Sequence, residues 1–359
     1  MAIGNQLQKF ILKRFFPFKD WITDLRNPKI LRADIVAGLT VALVLVPQSM
    51  AYAQLAGLPP YYGLYASFLP VAIASIFGSS RQLATGPVAV VSLLTAAALE
   101  PIASNDPTGY VAYAIMLAFL VGIFQLSLGL LRMGVLVDFL SHPVVTGFTN
   151  AAAIIIATSQ LSKLFGVSVV SAEHHYQTII NVLSESLVNT HIPTLLMGLL
   201  AIFLILLSRK ISTKYPAVLI SVVITTVISW YIQFETNYGG KVIGVVPDGL
   251  PTIQMPQIDF DQLINLGTVA IAISLIGFME AISIAKAMAT QTKQRLDADQ
   301  ELIGQGLSNI VSSFFQGYPV SGSFSRSAVN ISAGAVTGFA SVVTGLVVGI
   351  TLLFLTPLL

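Results

Sequence analysis

The chain has 359 residues, 55% hydrophobic and 9% charged, with a mean hydropathy of +0.83; soluble domains carry about a quarter charged residues, so a soluble enzyme is excluded. The formal charge of +2 hides a strong asymmetry along the chain, a topological signal and no sign of a nucleic-acid partner. Without cysteine there are no disulfides or thiolate metal sites, and His142, His174, His175 and His191 sit near the ends of apolar runs without ligand-like spacing, so no metal is expected.

Lys9, Lys13, Arg14, Lys19, Arg26, Lys29 and Arg32 precede the first long apolar run. They argue against a cleavable leader and make residues 1–32 a cytoplasmic N-terminal segment. A spanning helix needs about 20 apolar residues. Apolar segments are predicted at 33–53, 61–78, 84–99, 111–131, 143–166, 192–208, 215–234, 263–287, 301–316, 323–335 and 337–357, which makes eleven, two of them short. Arg81, Arg132, Arg209 with Lys210 and Lys214, and Lys286 with Lys293 and Arg295 then fall on the inner side. Glu100, Asp106, Glu173, Glu235, Asp259 and Asp261 fall on the other. The expectation is an all-α, multi-pass protein of the plasma or bacterial inner membrane, with the lipid bilayer as its surroundings. Residues 235–262, rich in Gly and Pro (Gly239, Gly240, Pro247, Gly249, Pro251, Pro256), read as an irregular extracellular loop. It separates a first repeat of seven segments, 33–234, from a second, 263–359, whose first span starts outside; that is the pattern of an inverted repeat.

Each half contains a break rich in small residues, ATGPVAVVSLL from Ala84 and VSGSFSRSAVN from Val320. Irregular backbone inside a membrane must be buried in protein or line a cavity. If each break opens a half-helix, the free N–H groups and positive dipole ends of both point at one place and select an anion. Pro87 suits the first helical turn, and Gly86 permits close backbone approach. Ser321, Gly322, Ser323, Phe324, Ser325 and Arg326 supply hydroxyls, a second close-approach glycine and a cation. Arg326 marks a pathway, or else snorkels or joins a fixed ion pair. Glu280 pairs with Arg326 as a structural bridge, or binds a coupling H+ or Na+, the reading preferred. Lys286 is an interfacial anchor. In the first span Gln48 offers its NH2 group to an oxyanion with Tyr52 closing the pocket, or ties the kink at Pro47 to a neighbour. The sequon Asn330-Ile331-Ser332 lies within a segment and carries no glycan.

At PQSMAYAQLAGLPPYYGLYASFLP (Pro47 to Pro70), ATGPVAVVSLL, GFMEAISIAKAMA and SGSFSRSAVN, the chain resembles the SulP sulfate permease family, relatives of prestin. The likeness runs from about Asp34 to the C-terminus. It implies fourteen membrane segments in two inverted seven-segment repeats, divided into core and gate domains, with half-helices at segments three and ten and an anion between them. Carried over, the substrate shell is Gln48, Tyr52, Val88, Ala89, Ser323, Phe324, Ser325 and Arg326, with Glu280 at the ion-coupling position. No catalytic residue is implied, and no cofactor beyond H+ or Na+. The implied function is coupled import of a small inorganic anion, sulfate first and bicarbonate next. Its alternatives are an uncoupled channel or exchanger, or a nucleobase permease of the same architecture. A homodimer is expected of the full-length form. The family pattern continues with three more segments and usually a STAS domain, so the chain is expected to be incomplete after about eleven segments.

Overall fold

In the computed structural model, residues 14, 16–103, 106–135, 142–169, 175–211, 217–244, 246–257 and 259–356 are described. The predicted segments correspond to helices α1 (Pro28–Leu55), α2 (Tyr61–Phe77), α3 (Ala89–Ala103), α4 (Pro107–Leu130), α5 (His142–Ser159), α6 (Ile192–Ile211), α7 (Ala217–Tyr231), α8 (Leu263–Thr292), α9 (Ala298–Phe314), α10 (Phe324–Ser332) and α11 (Phe339–Ile350). By length and apolarity alone, α1, α4 and α8 are each long enough to cross a membrane, among the described residues. α3 and α10 are short because each starts only after a strand, β1 (Ala84–Gly86) and β2 (Ser321–Ser323) respectively.

Several boundaries differ from expectation for local reasons. α1 begins at Pro28, so Lys29 and Arg32 lie inside it: the Asn27 side chain accepts from the Lys29 N–H at 3.0 Å, and proline fits the first helical position. A short turn of helix over Lys19–Arg26 precedes it. A helix over His175–Asn189 forms where the sequence predicts none. Its Gln177, Asn181, Ser184, Glu185 and Ser186 dilute the apolar signal, and it meets α6 at 116°.

The chain folds into two compact units, one formed by residues up to Val145 and from Val246 onward, the other by Thr146–Val245. In the second unit, His191 stands at the start of α6, its ring nitrogens bonded to Thr194 Oγ1 and to the Tyr238 carbonyl, both at 2.7 Å. It is a boundary residue, as expected. Lys9, Lys13, His174 and Lys214, and the side chains of His142, His175 and Arg209, lie outside the described residues.

In the first unit, α9 packs on α4 and α2, α11 on α1 and α2, and α8 on α4. The α4–α9 contact is backbone to backbone: a β-carbon on Gly122 would lie 2.6 Å from the Ile310 nitrogen, and one on Gly306 would lie 2.5 Å from the Leu126 nitrogen. Small residues at such crossings replace the hydrophobic effect, which is absent in lipid. Of the loop predicted over 235–262, the start forms a short helix instead, Phe234–Tyr238, anchored by the buried Phe234, whereas 239–244, 246–257 and 259–262 are irregular, as expected, and the part from Val246 onward is pinned. Gly249 N–H donates to the Leu352 carbonyl (3.0 Å), Gln254 N–H to the Phe314 carbonyl (2.9 Å), and Tyr113 Oη to Asp259 Oδ2 (2.8 Å). The Tyr113 hydroxyl, with the N–H groups of Asp261 and Gln262, holds the Asp259 carboxyl below the usual range.

Asp34, fully buried in α1, accepts from the Val336 N–H (2.7 Å), the Thr337 N–H (3.1 Å) and Thr337 Oγ1 (2.5 Å). It clamps α1 to the turn between α10 and α11. Asp34→Asn replaces one acceptor by a donor facing donors. The expected loss is about 2–3 kcal/mol of stability, read as a lower Tm of the solubilised protein; an unchanged Tm would refute the clamp.

Candidate anion site

The two breaks meet. β1 and β2 pair antiparallel, Ala84 opposite Ser323, Thr85 opposite Gly322 and Gly86 opposite Ser321. The pairing satisfies backbone groups that lipid cannot. Beyond β1, the Val88 carbonyl takes the first helical bond from Ser92 N–H at 3.0 Å, so α3 opens at Val88. Pro87 therefore stands just before the helix and not in its first turn, because the extended strand runs on to Gly86. Gly86 has φ +147°, and a β-carbon there would sit 3.3 Å from Arg326 Nη2. Beyond β2, Ser323 caps α10, its Oγ accepting from Arg326 N–H at 3.4 Å. Ser327 Oγ donates to the Ser323 carbonyl (2.7 Å) and accepts the Ala84 N–H (2.9 Å), tying β1 to the first turn of α10. Ser321 Oγ donates to the Gly277 carbonyl at 2.7 Å, fixing β2 to α8.

Arg326 is fully buried, with Nη1 donating to Gln48 Oε1 at 3.4 Å and with Nε and Nη2 unpartnered. Gln48 thus meets the site through its acceptor oxygen, where the sequence points to its NH2 group. Tyr52, half-buried, follows one turn later on α1. The Val88 side chain packs into an apolar cluster with Val91, Leu117 and Ile273, so what it can offer an anion is its backbone N–H. Ala89 is half-buried, Ser323 buried, and Ser325 exposed with its Oγ 3.4 Å from Ser323 Oγ. Phe324 is 60% exposed.

Glu280 lies on α8 between Gly277 and Ala281, both of which touch β2. Its Oε2 is buried and unpartnered. The bridge to Arg326 does not form: among the described residues the ion pair within 4.0 Å is Arg81–Asp24 at 3.2 Å. Lys286 is exposed. Asn330 of the sequon is buried, donating to the Gln82 carbonyl at 3.1 Å, and is closed to glycosylation.

Sequence reasoning missed the supporting side chains. Asn309 accepts the Val320 N–H at 2.8 Å and donates to the Val320 carbonyl and to Gln125 Oε1, both at 3.1 Å, setting the entry to β2. Tyr318 Oη bonds Ser92 Oγ at 3.1 Å. The available signal was the recurrence of Glu301, Gln305, Asn309 and Ser312 along one face of α9 within an otherwise apolar segment. A cavity of about 880 Å³ lies away from this site, walled by Arg14, Ser79, Arg81, Arg295, Asp297 and Gln300.

Each paired strand leads into a helix start, and a buried guanidinium stands in the first turn of α10, an arrangement within a membrane-helix domain that favours negative charge. The sequence profile of the sulfate permease family matches residues 31–359, and the chain belongs to that family. It is 40% identical over 351 residues to the chloroplastic sulfate transporter 4.1 of Arabidopsis thaliana, covering 96% of this chain and 50% of the relative. It is 33% identical over 380 residues to the sodium-independent sulfate anion transporter of Bos taurus, covering 97% and 61%. Among solved structures, SLC26A9 superposes with TM-score 0.91 at 26% identity, over 98% of this chain and 58% of that one. The transmembrane domain of the cyanobacterial bicarbonate transporter BicA superposes with TM-score 0.80 at 25% identity, over 91% and 84%. The chain spans about half the length of the curated plant relatives it matches. These relatives are transporters, not enzymes.

Proposed function

We propose that the chain is the membrane part of a secondary transporter that moves a small inorganic anion by alternating access. The anion is held between the starts of α3 and α10. The observation that carries the reading is Arg326, fully buried at the first turn of α10 with two guanidinium nitrogens unpartnered. A buried charge with no ion pair within 4.0 Å is costly, and an anion relieves that cost. Sulfate is the first candidate, as the relatives' names suggest, and bicarbonate the second, in line with the BicA likeness. Gln48, Tyr52, the N–H groups of Val88 and Ala89, and Ser323, Phe324, Ser325 and Arg326 form the substrate shell.

In this reading Glu280 binds the coupling ion, H+ before Na+, since a sodium-independent relative is this similar. Proteoliposomes carrying the full-length protein test it with labelled sulfate, bicarbonate and uracil, with and without H+ and Na+ gradients. Glu280→Gln should cut gradient-driven accumulation by about 5–150-fold, the range of coupling free energies between sites, while leaving counterflow exchange. Gradient-independent flux that ignores Glu280→Gln would overturn coupling, and uptake of uracil in place of anions would overturn the substrate class.

The unit holding both half-helices serves as the core domain, and residues 146–245 belong to the gate. Single cysteines placed in this cysteine-free chain should label differently with and without anion; identical labelling would count against alternating access. A plasma- or inner-membrane location with a cytoplasmic N-terminus, and a homodimeric full-length form, complete the proposal. The chloroplastic relative marks an organelle membrane as the competing location. Protease protection of the N-terminus in intact cells and cross-linking in the membrane test these points.

A further inference from the structure

We propose that Gln305, seated on Glu301, is a positioning residue that sets β1, and with it the start of α3, for the anion; this rests on the reading that the β1–β2 site receives one. Glu301 is 1% exposed. Its Oε2 accepts the backbone N–H groups of Ser79 and Ser80, both at 2.9 Å, in the turn that leads into β1. Its Oε1 accepts from Gln305 Nε2 at 3.1 Å, one helical turn along α9, and the same nitrogen donates to Thr85 Oγ1 at 2.9 Å. A side-chain amide has two N–H bonds. Both are used here, so the amide is held between a carboxylate fixed to the turn and a hydroxyl in the middle of β1.

Stability alone does not account for this amide. Gln305 Oε1 is buried and unpartnered. A methionine would fill the same space and remove that unpartnered oxygen, but it would also take the donor from Glu301 Oε1; what only the amide adds is its grip on Thr85, which stands opposite Gly322 in the strand pair. Neither Glu301 nor Gln305 hydrogen-bonds Gln48 or Arg326, so both act through the strand. Helix N–H donors recognise an anion only when placed to within a fraction of an ångström, and supporting groups set that placement.

The test uses purified full-length protein and titration calorimetry with sulfate. Thr85→Val removes the oxygen at constant shape, Thr85→Ser restores it, and Gln305→Met removes the amide. Thr85→Val and Gln305→Met should each weaken sulfate binding by about 10–100-fold, the usual effect of losing a supporting contact. Thr85→Ser should bind like the parent; Gln305→Met, which also takes the donor from Glu301 Oε1, should lower the Tm of the anion-free protein, and Thr85→Val, which leaves the carboxylate paired, should lower it less. Parent-like affinity in Thr85→Val, or weak binding in Thr85→Ser, would each overturn the proposal, and Thr85→Val carries the test should Gln305→Met fail to fold. If the parent protein binds neither sulfate nor bicarbonate, the transport reading fails. Amide hydrogen exchange across residues 84–92 then decides the positioning role alone: faster exchange in Thr85→Val and Gln305→Met supports it, and unchanged exchange overturns it.

Discussion

Arg326→Met is expected to abolish measurable sulfate binding without destabilising the anion-free protein. Nε and Nη2 are the free donors of a fully buried guanidinium. Hydrogen bonds to charged groups contribute about 1.5–3 kcal/mol each, so losing two weakens binding by about 3–6 kcal/mol, or roughly 10²–10⁴-fold. Stability should move the other way. In the absence of anion the guanidinium has only the Gln48 oxygen at 3.4 Å, and replacing such a buried charge by an apolar group of similar volume is neutral or stabilising. Arg326→Ala loses the same donors but adds a cavity, so methionine separates the two effects. Arg326→Lys keeps the charge and loses the planar fork, and should fall between. Calorimetric titration and thermal melts with and without sulfate read both quantities; parent-like affinity in Arg326→Met would remove this residue from the site.

Gly63→Ala should be the most damaging single methyl group in the first unit. The new β-carbon would stand 1.9 Å from the Ser49 carbonyl oxygen, 2.3 Å from its carbon and 2.9 Å from the Met50 nitrogen. All three atoms belong to the α1 backbone, so no rotamer change makes room. Overpacking against side chains costs about 1–3 kcal/mol. Displacing a helix backbone is expected to exceed that, at about 4–5 kcal/mol or more, a large part of a typical stability of 5–15 kcal/mol. Gln48 precedes Ser49 directly, so any folded fraction should also bind sulfate more weakly. Size-exclusion profiles and Tm values decide; an unaltered Tm would mean that α1 and α2 tolerate separation here.

The spans and the two breaks were legible because lipid imposes long apolar runs and because Gly, Ser and Pro interrupt them visibly. Arg326, Gln48 and Glu280 stood out as polar groups in apolar company. The strand pair was not legible. Three residues such as Ala84–Gly86 or Ser321–Ser323 have no periodicity to read, and their partner lies in the other half of the chain. Whether Glu280 bridges to Arg326 depended on a distance between α8 and α10 that neither segment specifies alone. The polar face of α9 was present in the letters, but hydropathy averages Glu301, Gln305 and Asn309 with their apolar neighbours and loses the stripe. The helix over His175–Asn189 was lost to the same averaging.

The ladder between β1 and β2 bears on the energetics of accumulation. It joins the starts of α3 and α10, so the donors around a bound anion cannot be drawn apart without breaking backbone bonds. In the proposed transporter the cargo therefore keeps the donors of α3 and α10 together whichever compartment the site faces. Loosening the hold at the exit concentrates nothing in any carrier, because a difference in affinity is cancelled by the conformational equilibrium that accompanies it. Any accumulation therefore draws on a force outside the site, either the membrane potential or the gradient of a coupled or exchanged ion, and that force sets the anion's final concentration ratio.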